Sequence, residues 1–182
     1  MNLWINAIAY QATWLIAIAG AAHGWWWAGP LALIAFAAWQ FSISTLRRAD
    51  TMLLVCAAVI GFVVDSGFAQ SGLLDYSAAV PWPQLAPVWI VALWMSFALT
   101  LNHSLAWLKS HASAAALLGA IAAPLAYLAA AHWGALAFAQ ARLPTLLVLA
   151  AVWAVLTPAL CVLARQLAGT QRTGTMYHGA AP

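Results

Sequence analysis

A chain of 182 residues that is 66% hydrophobic and 5% charged has too little charge to cover a soluble surface. With a mean hydropathy of +0.93 and no glutamate at all, composition makes a membrane the solvent. Six basic and three acidic residues leave a formal charge of +3, but the basic residues are scattered; this excludes a nucleic-acid patch and leaves membrane lipid as the natural partner.

A helix needs roughly 20 apolar residues to cross a hydrocarbon core of about 30 Å. Six stretches meet that demand: Leu3 to Ala22, Pro30 to Leu46, Thr51 to Gln70, Pro87 to Leu108, Ala112 to Ala131 and Pro144 to Ala164. The first has no Lys or Arg before it and is long, so it is read as a retained span rather than a signal peptide. If the spans alternate, Arg47, Arg48, Lys109, Arg165 and Arg172 share one side of the membrane and Arg142 alone lies on the other. The positive-inside rule then puts both termini in the cytoplasm. The expected fold is an all-α membrane protein, a single bundle of six transmembrane helices over residues 1–164. A polar, disordered cytoplasmic tail follows over 165–182.

Pro30, Pro87 and Pro144 each open a helix running inward and stand 57 residues apart. Proline is favoured at a first helical position, where its missing N–H has no intrahelical partner to lose. The spacing hints at three similar hairpins. The loops between them hold His23 with Trp25, Trp26 and Trp27, then Asp75, Tyr76 and Pro81-Trp82-Pro83, then His132 and Trp133. These read as aromatic anchors at a bilayer interface, or as a lid over an outward-facing site. Cys56 and Cys161 lie inside apolar runs, where a thiol behaves as a small hydrophobe, so no disulfide is expected.

Polar residues inside the spans are the candidate working groups. At about 1.5 Å per residue, Tyr10, Gln11, Gln40, Asn102, His103 and Thr157 fall about 7 to 12 Å inside the cytoplasmic boundary. Ser96, Thr100, His103 and Trp107 recur at helical spacing and would share one face of the fourth span. Asp65 lies deeper, about 21 Å from that boundary, level with Trp94 and with Tyr127, which is able to donate to it. An acid at that depth is disfavoured by about 2.5 to 3.5 kcal/mol and must be neutral, paired or facing a cavity. Interhelical hydrogen bonding and a working site both account for these residues. Gly61, Ala115, Gly119 and Ala123 are read as close-packing positions, and Pro124 and Pro158 as kinks in the fifth and sixth spans.

The residues exclude more chemistry than they assign. There is no His-x-x-x-His, no Glu-containing metal motif, no Gly-x-Ser-x-Gly elbow and no phosphate-cradling glycine loop, and the three aspartates are too far apart to hold a magnesium diphosphate. No metal and no particular cofactor is implied.

The runs WLIAIAGAAHGWWWAGPLAL, DSGFAQSGLL, APVWIVALWMSFALTLNHSLAWL and GAIAAPLAYLAAAHWGA resemble a bacterial inner-membrane family classed as domain of unknown function 2878. The likeness covers nearly all of the chain up to about Leu163 and implies an inner-membrane location. It carries no assigned activity; Asp65, Asn102 and His103 are its matching polar positions, and it implies a lipid-modifying enzyme as a neighbour in the cell. A looser likeness to the tryptophan-rich translocator proteins is set aside, because those have five spans.

Three functions are compatible with this reading. The first is a non-catalytic protein that binds or handles a lipid or small apolar ligand, or supports a lipid-modifying partner, through Tyr10, Gln11, Gln40, Thr100, Asn102, His103 and Thr157. The second is an enzyme with His103 as general base, Asn102 orienting it and Asp65 relaying protons. The third is a transport subunit, similar in size to the six-span substrate-binding components of vitamin importers.

Overall fold

The computed structural model describes residues 3–178, with side chains described through residue 171. It holds six α-helices: α1 (Leu3–Ala22), α2 (Ala28–Ile43), α3 (Arg47–Gln70), α4 (Val88–Leu101), α5 (Ala112–His132) and α6 (Arg142–His178). A short strand β1 (Leu74–Tyr76) lies between α3 and α4, and another, β2 (Leu136–Phe138), between α5 and α6. Four of the helices, α1, α3, α5 and α6, are long and apolar enough to cross a membrane. At 16 and 14 residues, α2 and α4 are shorter, about 24 and 21 Å along their axes.

Each expected stretch contains one helix, but several boundaries move, α2 for one ending at Ile43 rather than Leu46. The fourth was read as continuous to Leu108, whereas α4 stops at Leu101. The amides of His103 and Leu105 both fold back on the Thr100 carbonyl, and a 3-10 helix covers Ala106–Ser110. This break turns the side chains of Asn102 and His103 to Asp50 and that of Ser104 to Asn6, and it dissolves the single face expected for Ser96, Thr100, His103 and Trp107. The third helix begins at Arg47 rather than Thr51, so Asp50 joins its first turn, where the helix dipole favours an anion. The sixth does not stop at Ala164 but continues to His178; residues 179–182 of the expected tail lie outside the described residues. Pro124 and Pro158 both sit within helices that continue past them.

The helices α1, α3 and α5 end alike. Each places a glycine two residues past its last helical residue in the left-handed region, at φ +77° for Gly24, +66° for Gly72 and +85° for Gly134. Beyond it the amides of Trp25, Leu73 and Ala135 reach back to the carbonyls of Gly20, Phe68 and Ala130. This is the Schellman closure, which satisfies terminal carbonyls and needs φ > 0. After α3 and α5 the closure leads into β1 and β2, which pair antiparallel with Leu74 opposite Phe138 and Tyr76 opposite Leu136. Ser77 Oγ donates to the Gly134 carbonyl beside the ladder. The ribbon ties two hairpins together and supplies Tyr76 and Leu136 to the interior, a role that an all-helical reading leaves unfilled.

Small residues set the close approaches. A Cβ on Gly61 would lie 2.2 Å from Trp94 Cγ, so the indole lies flat across α3 only because position 61 has no side chain. On α5, a Cβ at Gly119 would meet the Trp153 carbonyl and Thr157 Oγ1 of α6 at 2.2 and 2.3 Å. The core around these contacts includes Ile18, Leu53, Trp89, Leu101, Leu149 and Leu160. Trp25, Trp26, Trp27, Trp82 and Trp133 stay exposed at one end, and Trp4 and Trp107 at the other, as two interfacial girdles would be.

Replacing Gly61 by Val overpacks the Trp94 contact and is expected to destabilise the protein by about 1–3 kcal/mol. Gly67 has nothing within 4 Å of its would-be Cβ, so Gly67→Ala is expected to leave stability unchanged or raise it by about 0.5–1 kcal/mol. Thermal unfolding in detergent checks both, and equal midpoints for the two variants would show that Trp94 is not held through Gly61.

Candidate functional site

The polar residues gather in two clusters at opposite ends of α3, with a cavity beside them. Asp65 lies in the first cluster and is fully buried. Its Oδ1 accepts from the hydroxyls of Tyr76 on β1 and Tyr127 on α5, each at 2.6 Å, and its Oδ2 accepts from the indole Nε1 of Trp94 on α4, also at 2.6 Å. Four elements thus converge on one carboxyl group. Gly61, one turn before Asp65, leaves the space across which Trp94 reaches it. Burial, and next the Asp65 carboxyl beside it, hold the Tyr76 hydroxyl well above the ordinary phenol range, so Tyr76 remains a donor. The sequence pointed to Trp94 and Tyr127 as neighbours of Asp65; it missed Tyr76, which sits in an apparent loop.

The second cluster forms around Asp50, which the sequence alone places in a basic loop with Arg47 and Arg48. Asp50 is 1% exposed. Ser44 Oγ donates to its Oδ2 at 2.6 Å, Asn102 Nδ2 donates to its Oδ1 at 2.9 Å, and His103 Nε2 lies 3.0 Å from Oδ2. Lys109 Nζ donates in turn to Asn102 Oδ1 at 2.9 Å. Facing a carboxylate, His103 Nε2 carries the hydrogen; its Nδ1 is buried without a hydrogen-bond partner. Asn102 and His103 therefore belong with Asp50. About 22 Å of helix axis separates Asp50 from Asp65, and Asp65 makes no contact with His103 of the kind a direct proton relay would use.

A third set of bonds links this end of the molecule. Asn6 Nδ2 donates to Gln40 Oε1 at 2.7 Å and to the Leu99 carbonyl at 3.2 Å, while Ser104 Oγ donates to Asn6 Oδ1. Gln171 joins the chain at positions 45 and 49, accepting from the Ala49 amide and donating to the Thr45 carbonyl. Asn6, Ser44, Asp50 and Ser104 were all missed from sequence. The available signals were weak ones: Asp50 at a helix start, and Asn6 as the one amide early in an apolar span.

The remaining candidates, Tyr10, Gln11, Thr100 and Thr157, line a cavity of about 620 Å³ between α1, α4, α5 and α6, a volume typical of small-molecule sites. Trp14, Trp89, Trp94, Phe97, Tyr127 and Trp153 give it aromatic walls, and Ser104 and Leu136 close parts of it. The exposed liners are Gln11 on α1 and Leu118, Ala122 and Leu125 on α5, so its mouth opens sideways between those helices. Among the described residues no charged side chain lines it. The Asp65 cluster fixes two of its walls, Trp94 and Tyr127; Trp94 stacks on Trp153 at 4.4 Å between ring centroids. The expected single layer is thus divided: Tyr10, Gln11 and Thr157 face the cavity beside Thr100, Asn102 and His103 face Asp50, and Gln40 faces Asn6. Among the described residues no three His, Cys, Asp or Glu side chains come close enough to hold a metal.

Removing one donor from Asp65 leaves two in place. Tyr76→Phe is therefore expected to cost about 1 kcal/mol, whereas Asp65→Ala strands three buried donors at once and costs several times as much. Denaturant-dependent unfolding in mixed micelles measures the difference; equal losses would mean that the three bonds do not share one acceptor.

No curated protein and no solved structure matches the chain. One family does, over residues 3–159, and its description is "Protein of unknown function (DUF2878)". With six helices, four of them able to cross a membrane, and a family match that spans most of its length, this chain is a membrane protein that belongs to the DUF2878 family.

Proposed function

We propose that the protein is a multi-pass protein of the bacterial inner membrane that binds a small apolar or lipidic ligand in the cavity between α1, α4, α5 and α6. The observation that carries this reading is the cavity itself: about 620 Å³, walled by aromatic rings and open sideways. A lateral mouth between two membrane-length helices admits a molecule already dissolved in the bilayer. Aromatic and apolar walls with a few placed hydroxyls are the usual make-up of a ligand pocket.

The membrane arrangement in this reading is six spans with both termini cytoplasmic. The 14-residue α4 is too short alone, but the turn and 3-10 segment after it carry the chain onward. Asn102, His103 and Leu108 in that segment are buried in protein, the condition under which non-helical backbone is tolerated at membrane depth. Arg47, Arg48 and Lys109 then lie on one side and Arg142 on the other, in keeping with the positive-inside rule.

A second reading places chemistry at His103, favoured by its bond to Asp50 and its unpartnered Nδ1. Its neighbour Ser104 lines the cavity while His103 does not, so ligand binding is the stronger reading. If His103 is a general base, His103→Gln leaves folding intact and alters the lipid profile of cells in the same way as deletion of the gene. An unaltered profile in both strains removes this second reading.

Two measurements test the first proposal. Protein purified gently from its own membranes is expected to retain a ligand detectable by native mass spectrometry, and Ala126→Trp, which fills the cavity, is expected to lose it. Retention of the same species by the variant would contradict the cavity as the site. For the topology, a chain carrying Cys56→Ala and Cys161→Ala is given Gln140→Cys or Ser110→Cys. An impermeant thiol reagent on intact spheroplasts is expected to label position 140 and spare position 110; the reverse pattern would invert the orientation.

A further inference from the structure

We infer that Thr157, with the indole of Trp153 one turn before it, is the polar subsite of this cavity and that it selects an uncharged ligand bearing one carbonyl or hydroxyl oxygen. The inference rests on the cavity being a binding site and names what it binds. Threonines in helices commonly return their hydroxyl to the carbonyl four residues earlier. Thr13, Thr51, Thr145 and Thr170 all do so here. Thr157 does not: its Oγ1 is buried without a partner, although the residue is only 1% exposed and lines the cavity. Trp153 Nε1, on the same helix face, is buried beside the Tyr127 hydroxyl.

Leaving a buried hydroxyl unpaired is unfavourable, and an oxygen acceptor on a ligand would relieve that penalty. Gly119 of α5 packs against Thr157 Oγ1, and any side chain there would collide with it. The wall beside these donors is aromatic: Trp153 stacks on Trp94 and meets Phe97 edge-on, with 5.8 Å between the ring centroids of Trp153 and Phe97. A flat or unsaturated body fits against such a surface. Among the described residues no Lys, Arg or His lines the cavity to neutralise a phosphate, and no acid lines it to hold an amine. The ligand class is therefore neutral, of the quinone or prenol kind: an apolar unsaturated body with an oxygen to place at Thr157.

The test uses the full-length protein in nanodiscs, titrated with decyl-benzoquinone in one arm and farnesol in the other, with farnesyl phosphate as the charged control. Tryptophan fluorescence reports binding. The wild type is expected to bind at least one neutral probe more tightly than farnesyl phosphate, and the responding arm separates quinone from prenol. Thr157→Val, which removes the hydroxyl, is expected to weaken that binding about tenfold, and Thr157→Ser to retain it. Equal affinity of wild type and Thr157→Val, binding of neither neutral probe, or farnesyl phosphate binding as tightly as farnesol would overturn the subsite. Ala126→Trp separates the two levels of the argument. If it abolishes binding while Thr157→Val does not, the cavity stands and the subsite falls; if it leaves binding unchanged, both fall.

Discussion

A carboxyl group buried among apolar helices must find its hydrogen-bond donors within the protein, because the hydrocarbon around it has none to offer. Helix α3 carries two such groups, Asp50 and Asp65, near its two ends. Each draws donors from other elements: Tyr76, Trp94 and Tyr127 converge on Asp65, and Ser44, Asn102 and His103 on Asp50. Apolar faces slide past one another with little preference between registers. Two saturated carboxyl groups about 22 Å apart fix how α4, α5 and the β-ribbon sit against α3. The break after α4 and the ribbon between the hairpins both follow from that demand, since each delivers side chains that a continuous helix would direct elsewhere.

Satisfaction at these clusters makes the exceptions informative. Among the described residues the buried His103 Nδ1 and Thr157 Oγ1 have no hydrogen-bond partner, and Thr157 lines the cavity. Its walls are held in place from behind: Asp65 anchors Trp94, Trp94 stacks on Trp153, and Gly119 and Gly61 set the distances at which α6 and α4 approach their neighbours. The cavity is therefore a framed space and not a gap left by poor packing. A space of this volume with aromatic walls has the make-up of a small-molecule site.

Much of the fold was legible in the sequence because membrane thickness imposes long apolar runs. Each of the six stretches holds a helix, and α1 matches its expected bounds of Leu3 and Ala22. The break at Leu101 was not legible, since Asn102 and His103 continue a helical pattern and only their pairing with Asp50 explains the turn. Nor was the ribbon, whose strands are three residues each and too short to show an alternating pattern. For the candidate site, depth counting put Trp94 and Tyr127 level with Asp65 and gathered Tyr10, Gln11 and Thr157 into one layer. Depth alone carries no angle around a helix axis, so it could not tell that Asn102 and His103 turn away from the cavity that Thr100 lines. Asp50 was hidden by its neighbours: Arg47 and Arg48 marked the segment as a loop, whereas burial under Ser44, Asn102 and His103 makes it a structural hub.

The central claim is that the aromatic-walled space between α1 and α5 is a ligand site. A high-resolution density map of the protein extracted from its own membranes in native nanodiscs tests it most directly. The account predicts an elongated, non-protein density that enters between Gln11 and Leu125 and ends within hydrogen-bonding distance of Thr157 Oγ1. A cavity that is collapsed, or that is filled only by side chains of α5 and α6, would contradict it.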